Sequence, residues 1–177
     1  MNSKKKGNRF ELKVAKWFTK WTGFKFERVP MSGAWHSNRD ATSDITCVDP
    51  KHQYRCLISV ECKSYNDIKF EHILLGNKGC DIIRFWDQAV NDANRSGKIP
   101  ILCMRYNSMP KEEFFFVISC SDLVLAFSKL MNCRYMSINI PGNDVLMVFM
   151  ASDVLNYTNY LEVHRGLKKN RSKPNNT

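Results

Sequence analysis

No apolar run in this chain approaches the roughly 20 residues that a helix needs to cross a bilayer. The lysine-rich opening passes into an amphipathic stretch, without the continuous apolar segment of an export signal. Cys-x-x-Cys spacing is missing as well, although there are 7 cysteines, at positions 47, 56, 62, 80, 103, 120 and 133. An odd number, set mostly in apolar runs, argues against zinc and against a disulfide framework. The cysteines read as reduced, buried small hydrophobes, so the expected setting is cytoplasmic and reducing. Acidic residues are absent from positions 164–177, which hold five Lys and Arg, and residues 1–28 hold nine bases against two Glu. The stretch between them carries thirteen bases and fifteen acids, so the net charge of +10 is gathered at the two ends. Basic ends on a slightly acidic middle suit a polyanionic partner, nucleic acid before membrane.

What is present is a chain of 177 residues, 44% hydrophobic and 12% aromatic, enough for one domain with a real core. Phe10, Val14, Trp17, Phe18 and Trp21 recur at intervals of three and four, which predicts a helix over 7–21. Lys13, Lys16 and Lys20 take its other side. At 100° per residue Glu11 falls within about 20° of Phe18, so its carboxylate flanks the buried stripe. A strand is expected over 24–29, then a polar loop over 30–43. Two antiparallel strands follow over 44–48 and 54–64, joined by a turn. The clearest helix lies over 80–97, with Ile82, Trp86, Ala89, Val90 and Ala93 as its stripe and Gly97 as its stop. A buried strand over 98–106 comes next.

Two later apolar runs each pass through Ser-Asp into a helix start, and Ser121–Asp122 and Ser152–Asp153 are expected N-caps. The hydrophobic pattern is lost at the end, so 167–177 is expected to be a flexible basic tail. The element order implies an α/β fold with a mixed central β-sheet flanked by helices. One domain is expected over 1–166, with its core over 7–106 and a C-terminal strand and helix extension over 107–166.

Within the apolar stretch LISVECKSY, Glu61 and Lys63 stand two apart on one strand face, with α-carbons about 7 Å apart. The hairpin brings Asp44 beside them from the preceding strand. Two carboxylates on adjacent strands make an oxygen-rich site suited to Mg2+, which takes carboxylates, water and phosphate oxygens. A lysine at such a site can orient or help deprotonate a water and offset charge on a phosphate. Those are the parts that phosphodiester hydrolysis needs.

Asp44 with Glu61-Cys62-Lys63 resembles the D…(D/E)xK core of the PD-(D/E)xK nuclease superfamily, and within it the archaeal-type Holliday junction resolvases also found in phages and viruses. KGNRFELKVAKWF is similar to the opening Lys-Gly…Glu helix of that family, with Glu11 as the extra carboxylate. RVPMSGAW resembles its Arg-x-Pro-x-Ser-Gly loop, whose functional serine is here Ser32. The likeness covers about residues 4–106; Ser43 stands where a proline precedes the aspartate in the family pattern. Gln88 occurs where many members carry a glutamine, although helical phase sets it off the apolar stripe.

The resemblance implies a restriction-endonuclease-like fold and metal-dependent hydrolysis leaving 5′-phosphate and 3′-hydroxyl ends. Asp44, Glu61, Glu11 and the Cys62 carbonyl would hold Mg2+, with Mn2+ able to substitute; Lys63 would position the water and Ser32 would approach the phosphate. The implied partners are a four-way DNA junction and a second copy in a C2 homodimer, with no membrane and no small-molecule cofactor. Lys6, Arg9, Arg28, Lys168, Lys169 and Arg171 are expected on DNA phosphates. The apolar runs EFFFVI and DVLMVFM exceed what one small sheet face needs and are read as dimer-building. Other readings are a restriction or repair endonuclease on duplex DNA, or a DNA-binding protein without catalysis. The last would be expected to have lost one of Glu11, Asp44, Glu61 and Lys63, and all four are present.

Overall fold

A computed structural model describes residues 3–29, 43–53, 56–74, 81–126, 128–139 and 144–171. The first helix, α1 (Ser3–Thr22), starts earlier than its apolar stripe does and buries Phe10, Val14, Phe18 and Trp21. Gly23 ends it: at φ +75° its N–H reaches the Thr19 carbonyl at 2.9 Å, a left-handed cap that suits a residue without Cβ. Short strands β1 (Phe26–Arg28) and β2 (Ile45–Cys47) lead to the long β3 (Ile58–Tyr65). A single helical turn, α2 (Glu71–Leu74), precedes α3 (Asp81–Ser96) and β4 (Ile99–Tyr106). Then come β5 (Phe115–Ser119), α4 (Cys120–Ala126), a 3-10 turn (Ser128–Asn132) and β6 (Met136–Ile138). The chain continues through β7 (Leu146–Met150), α5 (Ala151–Tyr157) and α6 (Tyr160–Arg171).

The seven strands form one sheet in the order β1-β2-β3-β4-β5-β7-β6. Only β3 and β4 run parallel, joined through α3; the other neighbours are antiparallel. The expected hairpin is present, with Ile45 opposite Val60. Alternation along β3 feeds two separate cores, as period-two geometry demands. Ile58, Val60 and Cys62 pack with α1 and with Phe114, Phe116 and Phe149. On the opposite face Leu102, Met104, Val117 and Val148 pack under Ile82, Phe85, Trp86 and Ala89 of α3. The fold is α/β, a mixed sheet flanked by helices, consistent with the restriction-endonuclease-like architecture.

The C-terminal third differs from expectation in four ways. EFFFVI and DVLMVFM supply interior strands: Phe114, Phe116, Val117, Ile118 and Leu146 are fully buried. Both sheet faces are covered, which accounts for the apolar excess that suggested a dimer surface. These strands also complete the core of the N-terminal part, since Phe114 and Phe116 meet Trp17 at ring distances of 5.4 and 6.0 Å. The cap of α4 is Ser119, whose hydroxyl accepts the Asp122 N–H at 3.2 Å and donates to the Asp122 carboxylate at 2.7 Å. Ser152 lies inside α5, whose N-cap is Met150 without a side-chain bond; the Glu113 carboxylate accepts the Ser152 N–H instead. Finally, α6 runs on to Arg171, so residues 167–171 of the expected tail are helical and its remainder, 172–177, lies outside the described residues. Buried Tyr160 and Val163 anchor that helix, and bases near a helix C-terminus are favoured by its dipole.

Gly97 gives a clean test of local coding. It sits at φ +61° with its N–H on the Asn94 carbonyl, while the Lys98 N–H reaches the Ala93 carbonyl at 2.8 Å, a Schellman closure of α3. A Cβ there would meet nothing within 4 Å, so only conformational strain opposes it. Gly97→Ala is expected to cost about 1–2 kcal/mol in urea unfolding without changing the folded spectrum.

Candidate active site

Asp44 stands just before β2, held in the sheet by its backbone: its N–H donates to the Val60 carbonyl at 3.0 Å and its carbonyl accepts the Val29 N–H at 2.9 Å. Its carboxylate oxygen Oδ2 accepts the Cys62 N–H of β3 at 2.8 Å. On a strand, the N–H and C=O of one residue point to the same edge, so the Cys62 carbonyl is turned toward the Asp44 side too. Ser43, in the place of the expected proline, is buried and shares a 2.6 Å hydrogen bond with Ser59. That bond ties the entry of β2 to β3 where a proline would have stiffened it through φ.

Glu61 and Lys63 project to the α3 face of the sheet. Glu61 is 3% exposed, and its Oε1 accepts from Lys63 Nζ at 2.5 Å. Lys63 also donates to Gln88 Oε1 of α3 at 3.0 Å and lies 5.6 Å above the Phe85 ring. Burial, then the nearby Asp44 charge, pushes the Glu61 carboxyl up to about 8, against the opposing pull of Lys63. For Lys63, burial acts to lower the pKa, but the Glu61 and Asp44 carboxylates outweigh it and hold the ammonium above its ordinary value. Asp92, one turn beyond Gln88 on α3, joins the same field. Its carboxyl is raised by burial, opposed by Arg95 and raised further by Asp44.

The structure thus brings together Asp44, Glu61, Lys63 and the Cys62 main chain. Glu11 is engaged by Arg28: it is bonded to Arg28 Nε, Arg28 Nη2 donates to Asn8 at 3.0 Å, and the Glu11 charge is among those that raise the Cys62 thiol, after burial, Cys103, Asp44 and Glu61. Two residues expected on metal and on DNA are therefore paired with each other here. Lys6 donates to the Tyr65 carbonyl at 2.8 Å and to Asn66 at 3.3 Å, at the end of β3. Arg9 is exposed on α1, and Lys168 is exposed on α6, whose backbone also carries Lys169 and Arg171. Ser32 lies outside the described residues. Sequence reasoning passed over Asp92 and gave Gln88 little weight. The signal for both was their i, i+4 spacing on the helix that crosses over the Glu61–Lys63 strand.

Among the described residues no three His, Cys, Asp or Glu side chains are grouped to hold an ion. The pair Asp44 and Glu61 nevertheless fits Mg2+, which commonly takes one or two carboxylates and completes its shell with water and phosphate oxygens. The two causes that raise Glu61, burial and a neighbouring negative charge, are both relieved by a divalent cation.

A family model described as "Phage putative PDDEXK endonuclease" matches residues 2–158. The chain belongs to this family. No curated protein and no solved structure matches it. Membership places the chain in a nuclease family, and among the described residues no helix is long and apolar enough to cross a membrane.

The raised carboxyl has a consequence for the metal-free endonuclease. Glu61 holds a proton between its ordinary value of 4.5 and about 8 when folded, but not when unfolded. Stability contributed by that proton is present at low pH and lost as pH rises through this window, on the order of a few kcal/mol. Thermal melts in EDTA should therefore fall from pH 5 to pH 8.5, and Glu61→Gln, which cannot ionise, should flatten that fall. An equally steep fall in the variant would place the titration elsewhere.

Proposed function

We propose that this endonuclease is a metal-dependent, structure-selective endodeoxyribonuclease that resolves four-way DNA junctions by paired nicks. The observation carrying the reading is buried Glu61 paired with Lys63 on β3 and Asp44 at the entry to the neighbouring strand β2, in keeping with the D…(D/E)xK pattern. Junction selectivity rests on the likeness of the Lys-Gly…Glu helix and the Arg-x-Pro-x-Ser-Gly loop to junction resolvases. The proposed setting is the reducing cytoplasm, and the proposed assembly a C2 homodimer, because two symmetric strands must be cut.

Asp44, Glu61 and the Cys62 carbonyl would hold Mg2+, with Mn2+ as a substitute, and Glu11 would join only after leaving Arg28. The bound ion would polarise the phosphate and acidify a water. Lys63, with its pKa held up, remains an ammonium and works as a cation: it orients the water through a hydrogen bond and offsets charge gathering on phosphate. Gln88 holds Lys63 from the solvent side and limits its rotamers. Ser32 would contact the phosphate from the 30–42 segment. Products would carry 5′-phosphate and 3′-hydroxyl ends.

Synthetic four-way junction and linear duplex, each with Mg2+ or EDTA, test the reading. Paired nicking of the junction at a rate at least about tenfold above duplex is expected, with none in EDTA. Equal cutting of duplex would favour a restriction- or repair-type enzyme, and cutting that survives chelation would remove the metal site. Lys63→Met should lower the single-turnover rate at least about 100-fold while leaving junction affinity within twofold. Full activity in that variant would show the site to be misplaced.

A further inference from the structure

Beyond the β3 strand end lies a groove of about 620 Å³ between the N-terminal half of α1 and the β4–β5 turn. Lys6, Arg9, Lys13 and Lys16 line one wall at spacings of three, four and three, so they form a straight stripe roughly 15 Å long on one helix face. Arg105 at the end of β4 and Lys111 in the following turn supply the other wall. Six bases thus face one another, with Glu112 as the single acid of the lining. Glu112 is 82% exposed and reaches Lys13 only at 3.7 Å, an ion pair worth little in water.

Two of the cations are fixed by neutral acceptors, which orients them without cancelling their charge. Lys6 is held by the Tyr65 carbonyl and Asn66, and Arg105 donates to the Met109 and Lys111 carbonyls at 3.2 and 3.4 Å. Their proximity is felt: burial first and then Arg105 lower the Lys6 ammonium. A folded protein gains nothing in stability from like charges set face to face, so the arrangement calls for an anion between them. Ser64, the residue after Lys63, also lines the groove. It therefore lies on the α1 side of the same strand end that presents Lys63 toward α3.

We propose that this groove is a second DNA track, outside the catalytic face, which grips the phosphate backbone of one strand as it passes over the end of β3. A 15 Å stripe matches the axial rise of roughly four base pairs of duplex at 3.4 Å each. The inference rests on the nuclease reading but not on junction selectivity, because phosphate contacts position DNA without reading its shape or sequence.

The test is DNA binding in EDTA, where cleavage plays no part. Fluorescence anisotropy of a labelled 20-bp duplex and of a four-way junction is measured across a salt series. Lys16→Glu with Lys111→Glu reverses one exposed cation on each wall. Lys25→Glu with Lys51→Glu makes the same change in net charge at the far end of β1 and β2. The groove variant should lose at least about tenfold in affinity for both DNAs and lower the salt slope by about 2, whereas the control pair should stay within about twofold. Lys16→Gln with Lys111→Gln, which adds no acid, should show a smaller loss in the same direction. Wild-type affinity in both groove variants, or equal losses in groove and control pairs, would overturn the track. Failure of junction selectivity would instead appear as equal wild-type cutting of junction and duplex, a readout independent of these comparisons.

Discussion

A carboxylate sunk to 3% exposure beside a second carboxylate is the constraint on which this molecule depends. Left alone, Glu61 would be too costly to ionise, because burial strips its water and Asp44 repels its charge. The fold answers with Lys63 two residues on, at 2.5 Å, and with Gln88 holding Lys63 in place. The remaining imbalance is what a divalent cation and a phosphate would remove. Glu61 keeps its proton under these forces, and a carboxyl perturbed in this way suits a site for a charged ligand.

Each surrounding element serves that placement. Asp44 is fixed by main-chain bonds on both sides and by the Cys62 N–H, with the Ser43–Ser59 hydrogen bond closing the gap that a proline would otherwise stiffen. The parallel β3–β4 pair can exist only with a crossover, and α3 is that crossover. Its buried stripe seats it on the sheet, and its polar side then brings Gln88 and Asp92 to the charges. The C-terminal strands supply rigidity: β5 and β7 carry the phenylalanines that pack beneath α1, and α1 in turn aligns its lysines along the groove. The Glu61–Lys63 strand, the aromatic core and the basic stripe are joined through α1.

Much of this could be read from the residues. The strand pair, the α3 stripe with its glycine stop, and the adjacency of Asp44 to Glu61 follow from periodicity of two and of 3.6, which local sequence encodes strongly. The Glu11–Arg28 pairing was not legible, because it joins residues 17 apart through the bend between α1 and β1. Asp92 escaped for a similar reason: a helix crossing over a strand is set by packing, and a polar residue on its flank carries no period of its own. The apolar runs beyond residue 107 misled by composition. Continuous hydrophobicity fits an interface or a strand covered on both faces, and only the position of β5 and β7 inside the sheet decides between them.

Calorimetric titration of the metal-free protein with Mg2+ at pH 7, in two buffers of different ionisation enthalpy, tests the central claim most directly. If Asp44 and Glu61 jointly receive the ion, Glu61 must give up the proton that burial and Asp44 hold on it. The heats should then differ between buffers by the equivalent of about one proton released per ion bound. Binding whose heat is the same in both buffers would contradict the account, because the ion would then be entering a site that does not contain Glu61.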